Sequence, residues 1–286
     1  MSAGTSIGSL VDRPLGTTGD RRRRLLLHHL PLAAASAVLL SLWMTLPVFD
    51  ITAYGHPDIV TRAFPQVGTR RVLAPVTKHE THAGGEQHVA HTSRSAHGAN
   101  RSRTIQQLTV ATGYLGVGLL AVALLLGPAN LLFRRRNPVS TYLRRDVGIW
   151  AAIFSIVHVM LAPLIHVSHG SGVLATVLHF FVDEGGHALT NSFGLGNWIG
   201  LVALVIVLAL LATSSDAALR RLRAGRWKRV QRLTYVLFGL VVLHAFFYGA
   251  FLRMTSPFTL LLVMSVIAVC VGQTVGVVVA RTCARS

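Results

Sequence analysis

The chain has 286 residues, 52% hydrophobic and 13% charged, with a formal net charge of +17. Soluble domains carry about 25% charged residues, so a water-soluble globule is excluded. Six apolar runs long enough to cross a hydrocarbon core of about 30 Å define an all-α integral membrane protein, a six-helix transmembrane bundle.

Residues 1–24 are rich in Gly, Ser and Thr and close on Arg21–Arg24, the composition of a disordered cytoplasmic tail. The membrane domain is expected over 25–280, with apolar runs at 25–49, 108–133, 147–165, 193–212, 233–252 and 258–280. Four arginines before an apolar run also resemble a signal peptide. The run is longer than an h-region and has no small-residue cleavage site, so it reads as an uncleaved first helix.

The outer loop 50–107 holds His56, His79, His82, His88, His91 and His97. It reads either as a solvated loop or as a loose outer metal site at His79, His82, His88 and His91. The loop 166–192 contains GVLATVLHFF beside Asp183 and Glu184, a segment apolar enough to lie on the membrane surface or to fold back as a lid. A short cytoplasmic tail is expected at 281–286. Cys270, within the sixth run, and Cys283 support neither a disulfide nor a zinc cluster.

Charge distribution predicts orientation. Segments 1–24, 134–146, 214–232 and 281–286 hold 19 of the 27 Lys and Arg residues, whereas the outer loops 166–192 and 253–257 hold only Arg253. The positive-inside bias therefore predicts an N-in, C-in topology in a bacterial inner or plasma membrane. Basic residues spread in this way answer to membrane lipid, and no nucleic-acid partner is expected.

Two histidines interrupt the apolar runs: His158 in SIVHVM and His244 in LVVLHAFFYG. Ionisable groups at such depth are costly and point to function when a partner exists. His158 follows Arg145 by 13 residues and His244 follows Arg232 by 12. At about 1.5 Å per residue, each imidazole stands roughly 18–20 Å from its basic anchor. Two neutral imidazoles at one height suit the axial positions of a haem iron in a helix bundle. The alternatives are hydrogen bonds to backbone carbonyls of neighbouring helices, or a proton relay, which is disfavoured because no Asp or Glu lies in the cores of the six runs.

The segments LRRDVGIWAAIFSIVH (143–158) and GRWKRVQRLTYVLFGLVVLH (225–244) resemble the paired haem-binding segments of the ferric-reductase-like transmembrane family, in particular its MsrQ-type haem-binding membrane subunits. The likeness covers about 108–252. It implies that His158 and His244 ligate an outer b-type haem. Where an inner pair of histidines would stand, this chain has Gln231 and Arg144, so one haem is expected. Single-haem members of the family can place a flavin (FMN or FAD) on the cytoplasmic side. The basic turn Arg220, Arg221, Arg223, Arg226, Lys228 and Arg229, with Gln231, is the candidate site for its phosphate or for a donor.

Because the chain stops at Ser286, just past the sixth run, the expected donor is a separate cytosolic flavin reductase or a membrane quinol. The expected acceptor is a ferric or cupric complex, or an extracytoplasmic partner such as a methionine sulfoxide reductase. Two rival readings remain: metal-ion handling through the His-rich loop, and a haem-binding sensor or assembly subunit.

Overall fold

The computed structural model describes residues 25–46, 85–133, 138–166, 172–183, 185–250 and 256–285. A π-helical turn, Leu25–His29, leads into α1 (Leu30–Thr45). Then follow α2 (Gly85–Leu132), α3 (Pro138–His166), the short α4 (Val173–Leu178), α5 (Ser192–Ala212), α6 (Asp216–Gln231), α7 (Leu233–Phe247) and α8 (Pro257–Arg285). Among the described residues, six stretches are long and apolar enough to cross a membrane: Leu25–Thr45, Arg103–Leu132, Tyr142–Ile165, Ser192–Ala212, Gly225–Phe247 and Pro257–Cys283. The chain is a multi-pass membrane protein, because in hydrocarbon only helices of this kind satisfy every backbone group within one segment.

Several boundaries differ from the sequence expectation: the third span begins at Tyr142 rather than 147, and the fifth runs from Gly225 to Phe247 rather than over 233–252. Residues 85–107, expected as the end of the outer loop, form the first turns of α2, whose 48 residues would extend about 72 Å at 1.5 Å per residue. Polar composition suggested a loop there. The stretch has no proline and adjoins an apolar helix that supplies the nucleus, so helix propagates into it at little cost. Residues 281–285 likewise continue α8. The expected tail 1–24 lies outside the described residues.

α2 packs along α3 and along α8, and α5 packs along α7. Their shared core joins Val117, Leu120, Leu124, Leu237, Phe238 and Leu262 with the small residues Ala151, Ala152 and Ala203, which let helix backbones approach where no water drives association. Polar stitches fix α8: Gln273 Nε2 donates to the Leu124 carbonyl at 2.8 Å, and Thr259 Oγ1 donates to the Ala250 carbonyl. The opposite faces expose Met160, Val205, Met264 and Val271, as lipid-facing surfaces do.

α1 is held at its two ends. Trp43 packs between Tyr114 and Phe258, with ring centroids 5.8 and 5.1 Å away. At the other end the π-helical turn presents His28 and His29 to Asp146 of α3.

Candidate functional site

α3 and α7 carry His158 and His244 to the same level, where the ring centroids stand 6.3 Å apart with the ring planes at 86°. Each imidazole is anchored on the helix beside its own. His158 Nδ1 lies 2.7 Å from the Thr109 carbonyl of α2, and His244 Nδ1 lies 2.8 Å from the Gly196 carbonyl of α5. A carbonyl can only accept, so both rings carry their proton on Nδ1. The backbone hydrogen bond foreseen as an alternative role is therefore present, but it occupies one nitrogen only. Neither Nε2 has a hydrogen-bond partner among the described residues.

That pattern is what a metal-ligating histidine requires, its second nitrogen donating to a carbonyl that fixes tautomer and ring orientation. Two imidazoles bound end-on to one ion, through bonds of about 2 Å with ring centres roughly 1 Å behind the donor nitrogens, have centroids about 6 Å apart. The observed spacing meets that requirement.

Both histidines line a cavity of about 1360 Å³. Its middle is walled by apolar side chains and by Gly113, Gly116 and Gly200. At one end it is basic, lined by Arg144, Arg145, Arg220, Lys228, Gln231 and Arg232. α6 reaches this end because Ser215 Oγ accepts the Ala218 N–H at 3.1 Å and starts the helix, and Trp227 Nε1 donates to the Thr213 carbonyl at 3.0 Å, folding α6 back on α5. Of the residues expected to hold a flavin or donor, Arg220, Lys228 and Gln231 line this end. Arg226 is exposed and lies outside the lining.

The other end is closed by the segment after α4. Phe180 is buried and stacks on Phe193 at 5.6 Å, and Phe181 meets Trp198 edge-on at 5.1 Å. Asn197 Nδ2 donates to the Phe180 carbonyl at 3.0 Å, while its Oδ1 accepts the Tyr248 hydroxyl at 2.5 Å. Tyr248 lies 4.8 Å from the His244 ring. The segment is thus tied to the α7 end that carries His244. Beyond it a tight turn exposes Asp183 and His187, and the His187 backbone N–H, 2.8 Å from Asp183 Oδ1, holds that carboxyl below the usual carboxylate range.

A second polar cluster escapes sequence reasoning. Asp146, fully buried, lies inside the third span rather than beside it; His28 Nδ1 is 2.7 Å from its Oδ2 and His29 Nε2 is 3.5 Å from its Oδ1. Trp150 Nε1 donates to His29 Nδ1 at 3.3 Å. The signal available was Asp146 at a span edge together with the His28–His29 pair, but nothing in the sequence connects segments 118 residues apart.

His79 and His82 lie outside the described residues, and His88 and His91 fall on α2. Among the described residues no group of three or more His, Cys, Asp or Glu is arranged to hold a metal ion.

Residues 112–242 match the family described as ferric reductase like transmembrane component. The match marks that segment, 131 of the 286 residues, as similar to a family of transmembrane components. The match takes in His158 and stops two residues before His244. Among particular proteins, the chain is 26% identical over 145 residues to the protein-methionine-sulfoxide reductase heme-binding subunit MsrQ of Polaromonas naphthalenivorans, covering 51% of this chain and 59% of that protein. It is 28% identical over 101 residues to magnetosome protein MamZ of Magnetospirillum gryphiswaldense, 35% of this chain and 14% of that one. An uncharacterized protein of Treponema pallidum is 30% identical over 105 residues, 37% of this chain and 26% of its own length. The chain thus spans less than two thirds of each of these bacterial relatives.

Proposed function

We propose that this protein carries electrons across a bacterial cell membrane through one b-type haem held between His158 and His244. The observation that carries the reading is the paired imidazoles, 6.3 Å apart, each with Nδ1 committed to a carbonyl and Nε2 left over. Bound there, the haem supplies one-electron chemistry that side chains cannot. The chain's part is orientation and insulation. The Thr109 and Gly196 carbonyls fix the orientation of both rings with the proton on Nδ1, the apolar wall excludes water, and the lid with Tyr248 and Asn197 covers the end near His244.

The basic end faces the cytoplasm, in line with the charge asymmetry of the sequence. The cavity exceeds the roughly 300–1,000 Å³ of a pocket for a single small ligand, and its remainder lies among Arg144, Arg220, Lys228 and Gln231. This supports a flavin phosphate at that end, reduced by a cytosolic flavin reductase, in place of an inner haem. A membrane quinol is the other donor. The acceptor lies beyond the lid, as a metal complex or a partner reductase.

The test is the visible spectrum of the purified protein, oxidised and then dithionite-reduced, with a pyridine haemochrome assay. One b-type haem per chain is expected. Absence of a chromophore would refute the reading, and two haems per chain would show that the inner half of the cavity has been misassigned.

A further inference from the structure

His158 and His244 belong to different helices, yet they are seated alike. Four residues beyond the Thr109 carbonyl that takes His158 Nδ1, the same helix has Gly113, where a Cβ would lie 2.9 Å from Nδ1 and 3.1 Å from Cε1. Four residues beyond the Gly196 carbonyl that takes His244 Nδ1 comes Gly200, where a Cβ would lie 2.9 Å from Nδ1 and 3.0 Å from Cε1. Residues four apart lie one above the other on a helix face. Each imidazole edge therefore rests in a notch made of one carbonyl and the bare backbone of one glycine. The separations also agree, 49 residues from Thr109 to His158 and 48 from Gly196 to His244.

We propose that Gly113 and Gly200 are positioning residues that set the planes of the two axial imidazoles, holding them at right angles. The proposal rests on the haem reading above. A ring backed against a helix and bonded through Nδ1 cannot turn about its own axis without breaking that bond. The two notches lie on separate helices, α2 and α5, so each fixes its ring independently, and the result is the 86° between them.

A consequence follows for the iron. Parallel imidazole planes split its two π-type d orbitals and give a rhombic low-spin ferric signal. Perpendicular planes leave those orbitals nearly degenerate and give a highly anisotropic signal with a large gmax. Adding a methyl at either glycine places a carbon closer to the ring than Cβ atoms are found. The ring must then swing away from its carbonyl, losing the hydrogen bond that makes it a more basic ligand.

The experiment is electron paramagnetic resonance of the ferric protein with a potentiometric titration, on the wild type, Gly113→Ala, Gly200→Ala, and the controls Gly118→Ala and Gly239→Ala. The control glycines lie on the same spans as Gly113 and His244, but a Cβ there meets nothing within 4 Å. The wild type is expected to show the large-gmax signal. Each notch variant should show changed g values and a raised midpoint potential at unchanged haem content, and the controls should match the wild type. A rhombic wild-type spectrum overturns the proposal even if the alanine variants fail to accumulate, as do notch variants identical to wild type in g values and potential. Absence of haem from the wild type would instead overturn the underlying reading, which keeps the two failures distinct.

Discussion

Asp146 is an ionisable side chain with no exposure at all, inside the third span. Beside Arg144 and Arg145 it reads as part of a basic anchor at the membrane edge, and only the fold reveals two histidines from the first helix closing on it. Removing one member of a buried ionisable pair commonly costs about 3–5 kcal/mol. Asp146→Ala should therefore lower thermal stability in detergent by about 3 kcal/mol and open the Leu25–His29 turn to protease, whereas Asp146→Asn, which keeps an acceptor oxygen, should lose less. Equal stability and protease resistance in both variants would show that α1 is held by Trp43 and its aromatic neighbours alone. The central histidines were legible residue by residue, since each is an ionisable group among apolar ones at matched depth. Their glycine notches were not, because TVATG and GNWIG look like ordinary small-residue helix contacts until the neighbouring helix is present.

At the scale of elements, α6 shows what charge density conveys and what it omits. The run from Arg220 to Arg232 is evident in the sequence, but its division between cavity and solvent depends on helical phase and on the Trp227 bond that turns the helix back. Lys228 lines the basic end of the cavity and Arg226 does not. Lys228→Glu should weaken retention of a phosphate-bearing cofactor and slow donor-driven haem reduction about tenfold, the scale of one charge-assisted hydrogen bond. Arg226→Glu should act on donor docking only, with an effect that fades as salt rises because exposed charges are screened over about 8 Å at physiological ionic strength. Dithionite reduction should be unchanged in both. Donor-driven rates equal to wild type, in membranes whose protein orientation is verified by protease accessibility, would remove α6 from the electron path and favour a quinol donor. The first turns of α2 illustrate the opposite failure of composition: a polar stretch looks like loop although it continues a helix already nucleated in the membrane.

For the whole molecule, the number and positions of the spans follow from hydropathy, since lipid demands about twenty apolar residues per crossing. The cavity does not follow from any run of residues, because it arises where the α2–α3 and α5–α7 pairs stand apart and the lid segment folds over one end. What joins the levels is that each pair delivers one imidazole, by the same backbone contact, to a shared centre. The most direct test of that claim is the reduced-minus-oxidised visible spectrum of His158→Ala, His244→Ala and the double variant beside the wild type, with membrane insertion verified for each. Loss of the low-spin b-type signal in every variant is predicted, and a double variant that retains the wild-type reduced spectrum would contradict the account.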